Sequence, residues 1–156
     1  MSGLSVKNQL SIGRSPLLVV LTTVFIDLLG FGIIIPLIPF YAKSYGATEF
    51  QVGLLIASYS LMQFLFAPLW GRISDGVGRR PILMLCLLGS SIGFILFGLA
   101  KSLALLLAGR IAAGFFGAVI STAHAYIADV TPPEQRARGM GLVGAAFGLG
   151  FIFGPF

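Results

Sequence analysis

The chain has 156 residues, 57% of them hydrophobic and only 10% charged, whereas a soluble domain averages about 45–50% apolar and about 25% charged. Ten basic residues, five acidic residues and one histidine cannot cover a water-facing surface, so a soluble globular domain is excluded. The formal charge of +5 sits at the ends of apolar stretches rather than in a patch. It therefore orients helices and implies no nucleic-acid partner.

A helix of about 20 apolar residues crosses the ~30 Å hydrocarbon core. By that rule a short tail, 1–15, precedes five predicted spans at 16–41, 50–70, 81–100, 103–128 and 140–156. The first is longer than the 7–15-residue core of a signal peptide and has no small-x-small cleavage site, so it reads as an uncleaved signal anchor. Ser15-Pro16 marks its start, and Asp27 lies near its middle, sharing a helical face with Thr23 and Gly30. Thr48 to Gln51 has capping-box spacing before the second span, where Tyr59 and Gln63 are one turn apart. GRISDGVGRR (71–80) then reads as a tight loop, with Gly71 ending the second span and Pro81 opening the third. Cys86, the single cysteine, lies in the third span. It can form no intramolecular disulfide and reads as a small apolar residue, with no metal-binding pattern around it.

Arg110 lies about two turns into the fourth span. At 100° per residue, Arg110, Gly114, Gly117, Ser121 and His124 form a stripe about 80° wide. Thr131 to Glu134 repeats the capping-box spacing before the fifth span. Within that span Gly144 and Gly148, and Gly150 and Gly154, are small-residue pairs that mark packing faces in lipid. The chain ends at Phe156, just after Gly154-Pro155, and is expected to be the N-terminal part of a longer protein cut inside a helix.

If the spans alternate, Lys7, Arg14, Arg72, Arg79, Arg80, Arg136 and Arg138 fall on one side and Lys43 and Lys101 on the other. Seven against two places the N-terminus in the cytoplasm by the positive-inside rule. Asp27 and Arg110 are different, because each would cost about 2.5–3.5 kcal/mol at a helix centre. Charges at that depth face a bundle interior or a wet cavity and mark ion or substrate pathways. A structural Asp27–Arg110 ion pair, or one polar network holding the helices together, is the alternative. Thr23, Tyr59, Gln63, Ser121 and His124 could line one cavity around them. A carboxyl so placed can take or release a proton as water access or a bound cation changes.

Four stretches, in order, resemble the major facilitator superfamily. GRISDGVGRRP is similar to its loop between helices two and three through Gly71, Asp75, Gly78, Arg79 and Arg80, with Gly76 where a basic residue is usual. IDLLGFGIIIPLIPF (26–40) resembles the first-helix motif of drug:proton antiporters, and AGRIAAGFFGA (108–118) the fourth-helix motif around a membrane arginine. GLVGAAFGLGFIFGP (141–155) fits the fifth-helix antiporter pattern through Gly141, Gly150, Gly154 and Pro155. The nearest likeness is to tetracycline/proton antiporters and bacterial multidrug exporters, strengthened by HAYIADVTPPEQRARGMG (124–141).

The resemblance implies an all-α integral membrane fold in which this chain gives five helices of the first six-helix half of a twelve-helix transporter. It implies alternating access in the bacterial plasma membrane, with a small, partly hydrophobic substrate and protons as partners. No cofactor is implied beyond the proton gradient, and the protein is expected to act as a monomer at full length, together with its C-terminal half. Asp27 and Arg110 take the coupling role, and the 71–80 segment that of a conformational switch. Uptake symport or facilitation on the same fold is the alternative. A membrane scaffold gains little from central charges, and an intramembrane enzyme lacks an oxyanion hole or metal ligands beside Ser121 and His124.

Overall fold

The computed structural model describes residues 14–154, with side chains from Leu18 onward. Most of the tail, Pro155 and Phe156 lie outside that description, whereas Ser15 and Pro16 fall within the first helix, so Ser15 does not take the predicted cap position. The described chain is all-helical: α1 Arg14–Ser44, α2 Glu49–Val77, α3 Arg79–Gly98, α4 Leu103–Phe115, α5 Val119–Val130 and α6 Pro133–Phe153. Four stretches are long and apolar enough to cross a membrane: Leu18–Ser44, Glu49–Val77, Arg79–Gly98 and Leu103–Val130. The fourth is α4 and α5 taken together. The predicted fifth span corresponds to α6. That helix starts seven residues earlier than predicted, takes in Glu134, Arg136 and Arg138, and is not among those four.

Three boundaries differ from expectation for local reasons. Gly71 does not end the second span, because nothing between 71 and 77 breaks a helix, and α2 runs through GRISDGV. The connection to α3 shrinks to Gly78 alone, at φ 111° and ψ 149°, with its N–H donating to Ser74 O at 3.1 Å. That backbone region is essentially open only to glycine. The Thr48 capping box forms as predicted, with Gln51 as its partner. The Thr131 box does not: Pro132 takes the cap position in an extended conformation and Pro133 the first helical position, where a missing N–H does no harm. Pro36, Pro39 and Pro68 lie inside helices, which membrane helices tolerate when neighbouring groups satisfy the freed carbonyls.

Glycines set which helices meet, since lipid supplies no hydrophobic force between them. A Cβ on Gly93 would lie 2.5 Å from Ala113 N, and one on Gly109 2.8 Å from Phe97 N, so α3 and α4 pack backbone to backbone. Gly150 meets Leu28 and Gly154 meets Gly32, docking α6 on α1, while Gly114 seats α4 against Tyr59 of α2. Gly141, Gly144 and Gly148 have open space instead. The Gly144/Gly148 pair is therefore not a packing face among the described residues.

Val24, Leu28, Leu83, Val119, Ile127 and Val143 anchor one apolar core. Ile34, Ile38, Leu55, Phe97 and Leu106 anchor the other. Phe40, Phe50, Phe64 and Met84 face outward, as lipid-facing positions should. Lys43 pairs with Glu49 at 2.8 Å, and Tyr45 Oη donates to Ala100 O at 2.8 Å, tying together the turns at one end. Arg79 ties together the other end, as antiparallel spans require.

Candidate functional site

Asp27 is 5% exposed and Ser90 1% exposed, on α1 and α3. Ser90 Oγ donates to Asp27 Oδ1 at 2.6 Å and also lies 3.1 Å from Leu87 O. Arg110, on α4, is 2% exposed. Its Nε donates to Leu55 O of α2 at 3.2 Å, and its guanidinium lies over the Tyr59 ring at 4.5 Å and the Phe31 ring at 5.9 Å. Phe31 is one turn beyond Asp27 on α1, and its ring centroid is 5.0 Å from that of Tyr59. A desolvated cation–π contact is worth about 2 kcal/mol or more, comparable to the insertion cost of an arginine. That is how a guanidinium can stay in this bundle.

Asp27 and Arg110 form no ion pair among the described residues. The alternative of a direct ion pair is therefore not made: α3 holds the carboxyl, while α2 and two rings hold the guanidinium. Arg110 Nη1 has no hydrogen-bond partner among the described residues. It is a buried donor whose two N–H groups could meet an acceptor.

The predicted polar stripe on the fourth span is interrupted. Between α4 and α5 the chain leaves the helix at Phe116, Gly117 and Ala118, and the freed carbonyls need donors in lipid. The second span supplies them. Trp70 Nε1 donates to Phe115 O and Gln63 Nε2 to Gly117 O, both at 2.6 Å. Rings of Phe66, Trp70, Phe115 and Phe116 pack around the break.

Of the five predicted cavity residues, Tyr59 joins the buried centre and Gln63 sits beside it, bonded to the break. Ser121 is exposed and donates to Ala118 O, while His124 is half-buried beyond the break. Thr23 donates to Val19 O and lines a separate hollow of about 270 Å³ with Val20, Arg80 and Leu83.

At the far end Arg79 joins three partners. It forms an ion pair with Asp75 one turn earlier, contacts Asp129 at the end of α5 at 2.9 Å, and donates from Nη1 to Ser74 Oγ at 2.7 Å. Asp75 and Arg79 thus meet across the connection between α2 and α3. Gly78 makes the turn between them, and Arg80 is exposed. Asp129, Ser90, Phe31 and Trp70 went unassigned in the sequence. Each had a signal: Asp129 lies in the quoted 124–141 stretch, Phe31 is a turn from Asp27, and Ser90 and Trp70 are polar-capable groups within or ending spans.

The Major Facilitator Superfamily model matches residues 20–156. The chain is 44% identical over 145 residues to the class C tetracycline resistance protein of Escherichia coli, covering 91% of this chain and 37% of that one. It is 33% identical over 150 residues to multidrug resistance protein 2 of Bacillus subtilis (strain 168), covering 96% and 38%. Among solved structures, that of the human organic anion transporter MFSD10 (TETRAN) superposes with a TM-score of 0.76 at 32% identity, covering 92% of this chain and 40% of that one. The chain thus spans well under half the length of these relatives. With membrane-spanning helices, the expected motifs in order and this match over most of its length, the chain belongs to the Major Facilitator Superfamily.

Proposed function

We propose that this chain is the N-terminal part of a proton-coupled antiporter that exports small, partly hydrophobic compounds such as tetracyclines by alternating access. The observation that carries the reading is Asp27, a carboxyl 5% exposed in the first span, with a hydroxyl beside it and no ion-pair partner among the described residues. A buried acid without a fixed counter-ion can be neutralised by a proton and recharged when water reaches it from the other side. Relatives named for tetracycline and multidrug resistance support a drug-like cargo. On this reading the N-terminus is cytoplasmic, the protein works as a monomer with a second half, and the proton gradient is the energy source. The 71–80 segment acts as the switch, with Arg79 between Asp75 and Asp129 making contacts that differ as the halves rock.

A second reading, transport of an organic anion, is favoured by the unpartnered Nη1 of Arg110. Everted vesicles carrying the full-length protein separate the two. Antiport predicts tetracycline accumulation that collapses with the proton gradient and is lost in Asp27→Asn. Gradient-independent accumulation of an aromatic carboxylate, lost in Arg110→Ala, would favour the second reading.

A further inference from the structure

A coupling acid inside a dry bundle must be comfortable in two protonation states, and a neighbour suited to only one of them would trap it. Asp27 has one side-chain hydrogen-bond partner among the described residues, Ser90. Among the described residues, Tyr59 of α2 and Cys86 of α3 are ionisable groups near enough to feel its charge, and α6 carries none between Met140 and Phe153. A hydroxyl differs from a cation or an amide because it can donate and accept, and it turns freely about its C–O bond. Ser90 Oγ has two acceptors in reach, Asp27 Oδ1 at 2.6 Å and its own helix carbonyl Leu87 O at 3.1 Å.

Resting on the reading of Asp27 as the coupling acid, we infer that Ser90 is a positioning residue that serves both states of the coupling carboxyl through a rotating hydroxyl. When Asp27 is charged, Ser90 Oγ–H donates to Oδ1. When a proton arrives from water it bonds to Oδ1, the new O–H donates to Ser90 Oγ, and the serine hydrogen turns to Leu87 O. Release reverses both turns. The proton moves between water and Asp27 only, so Ser90 keeps its own hydrogen throughout. In both states Asp27 Oδ1 and Ser90 Oγ stay hydrogen-bonded to each other, so the carboxyl is not locked into one of them.

Ser91 is the built-in control. It lies on the same helix and donates to the same Leu87 carbonyl at 2.7 Å, but makes no hydrogen bond to Asp27. The full-length transporter, reconstituted into liposomes with tetracycline as the probe, gives two transport readouts: export driven by an imposed proton gradient, and tetracycline counterflow without one. Ser90→Ala should lower gradient-driven export about tenfold, the order expected when a buried charged acceptor loses its donor, while counterflow falls far less. Ser90→Thr should restore export, and Ser91→Ala should behave as wild type. Infrared spectroscopy gives a readout independent of transport. The protonated-carboxyl band that vanishes in Asp27→Asn should move in Ser90→Ala and stay in place in Ser91→Ala.

Wild-type coupling in Ser90→Ala, an unmoved band, or equal losses of export and counterflow would overturn the role of Ser90 while leaving Asp27 intact. Full gradient-driven export in Asp27→Asn would instead remove the coupling reading, and the Ser90 role with it.

Discussion

Arg110 shows how one buried charge is settled by its neighbours rather than by an opposite charge. Two aromatic faces and one helix carbonyl surround it, and each part of that cradle can be removed alone. Tyr59→Leu keeps apolar volume but takes away the nearer ring, so it should destabilise the full-length protein by about 2 kcal/mol, the worth of a desolvated cation–π contact. Thermal unfolding in detergent measures it, and an unchanged midpoint would mean the ring contributes packing only. Arg110→Lys keeps the charge but not the planar fork that stacks and reaches Leu55 O, so part of the transport activity should survive. The depth of Asp27 and Arg110 was legible from hydropathy alone. Their separation was not, because a 3.6-residue period fixes the face of a helix but not the rotamer that turns a carboxyl to α3 and a guanidinium to α2.

At the scale of elements, the helices were legible from apolar length, while their ends and breaks depended on contacts between helices. The fourth span reads as one continuous apolar run, and no residue in Phe116-Gly117-Ala118 forces an interruption. What holds it open is the pair of donors from α2, which are distant in sequence. Trp70→Phe retains the ring stack but leaves the Phe115 carbonyl unpaired, and should cost about 1–3 kcal/mol of stability. The turn between α2 and α3 gives a sharper contrast. Gly78→Ala forces an L-residue into a glycine-only region and should cost about 1–3 kcal/mol. Gly71→Ala, in a helix with open space around it, should be neutral or slightly stabilising, because alanine is the better helix former. Equal unfolding midpoints for these two variants would mean that the turn is not as described. The α1–α6 contact follows the same logic. Gly154→Ala would set a Cβ 2.8 Å from the Gly32 backbone and should destabilise, whereas Gly148→Ala should not.

For the whole molecule, the two ends of the bundle are built differently. One end is held by an exposed Lys43–Glu49 pair and a tyrosine hydroxyl bonded to a turn carbonyl. The other gathers Asp75, Arg79 and Asp129 from three helices. Exposed carboxylates around one arginine add little net stability, but on the proposed reading they are the two partners between which Arg79 switches. Asp75→Asn should therefore slow turnover more than it weakens substrate binding, as a comparison of steady-state export with tetracycline affinity would show. Motif order made the superfamily legible, whereas the arginine's second partner was hidden because Asp129 lies fifty residues away in sequence.

On the proposed reading Asp27 carries the proton exchanged for substrate, and proton movement itself is the most direct measure of that role. In proteoliposomes holding the full-length protein and a trapped pH-sensitive dye, a tetracycline gradient should drive protons in the opposite direction. In Asp27→Asn tetracycline should still bind, and the dye signal should vanish. Substrate-driven proton movement at the wild-type rate in Asp27→Asn would show that another group carries the proton.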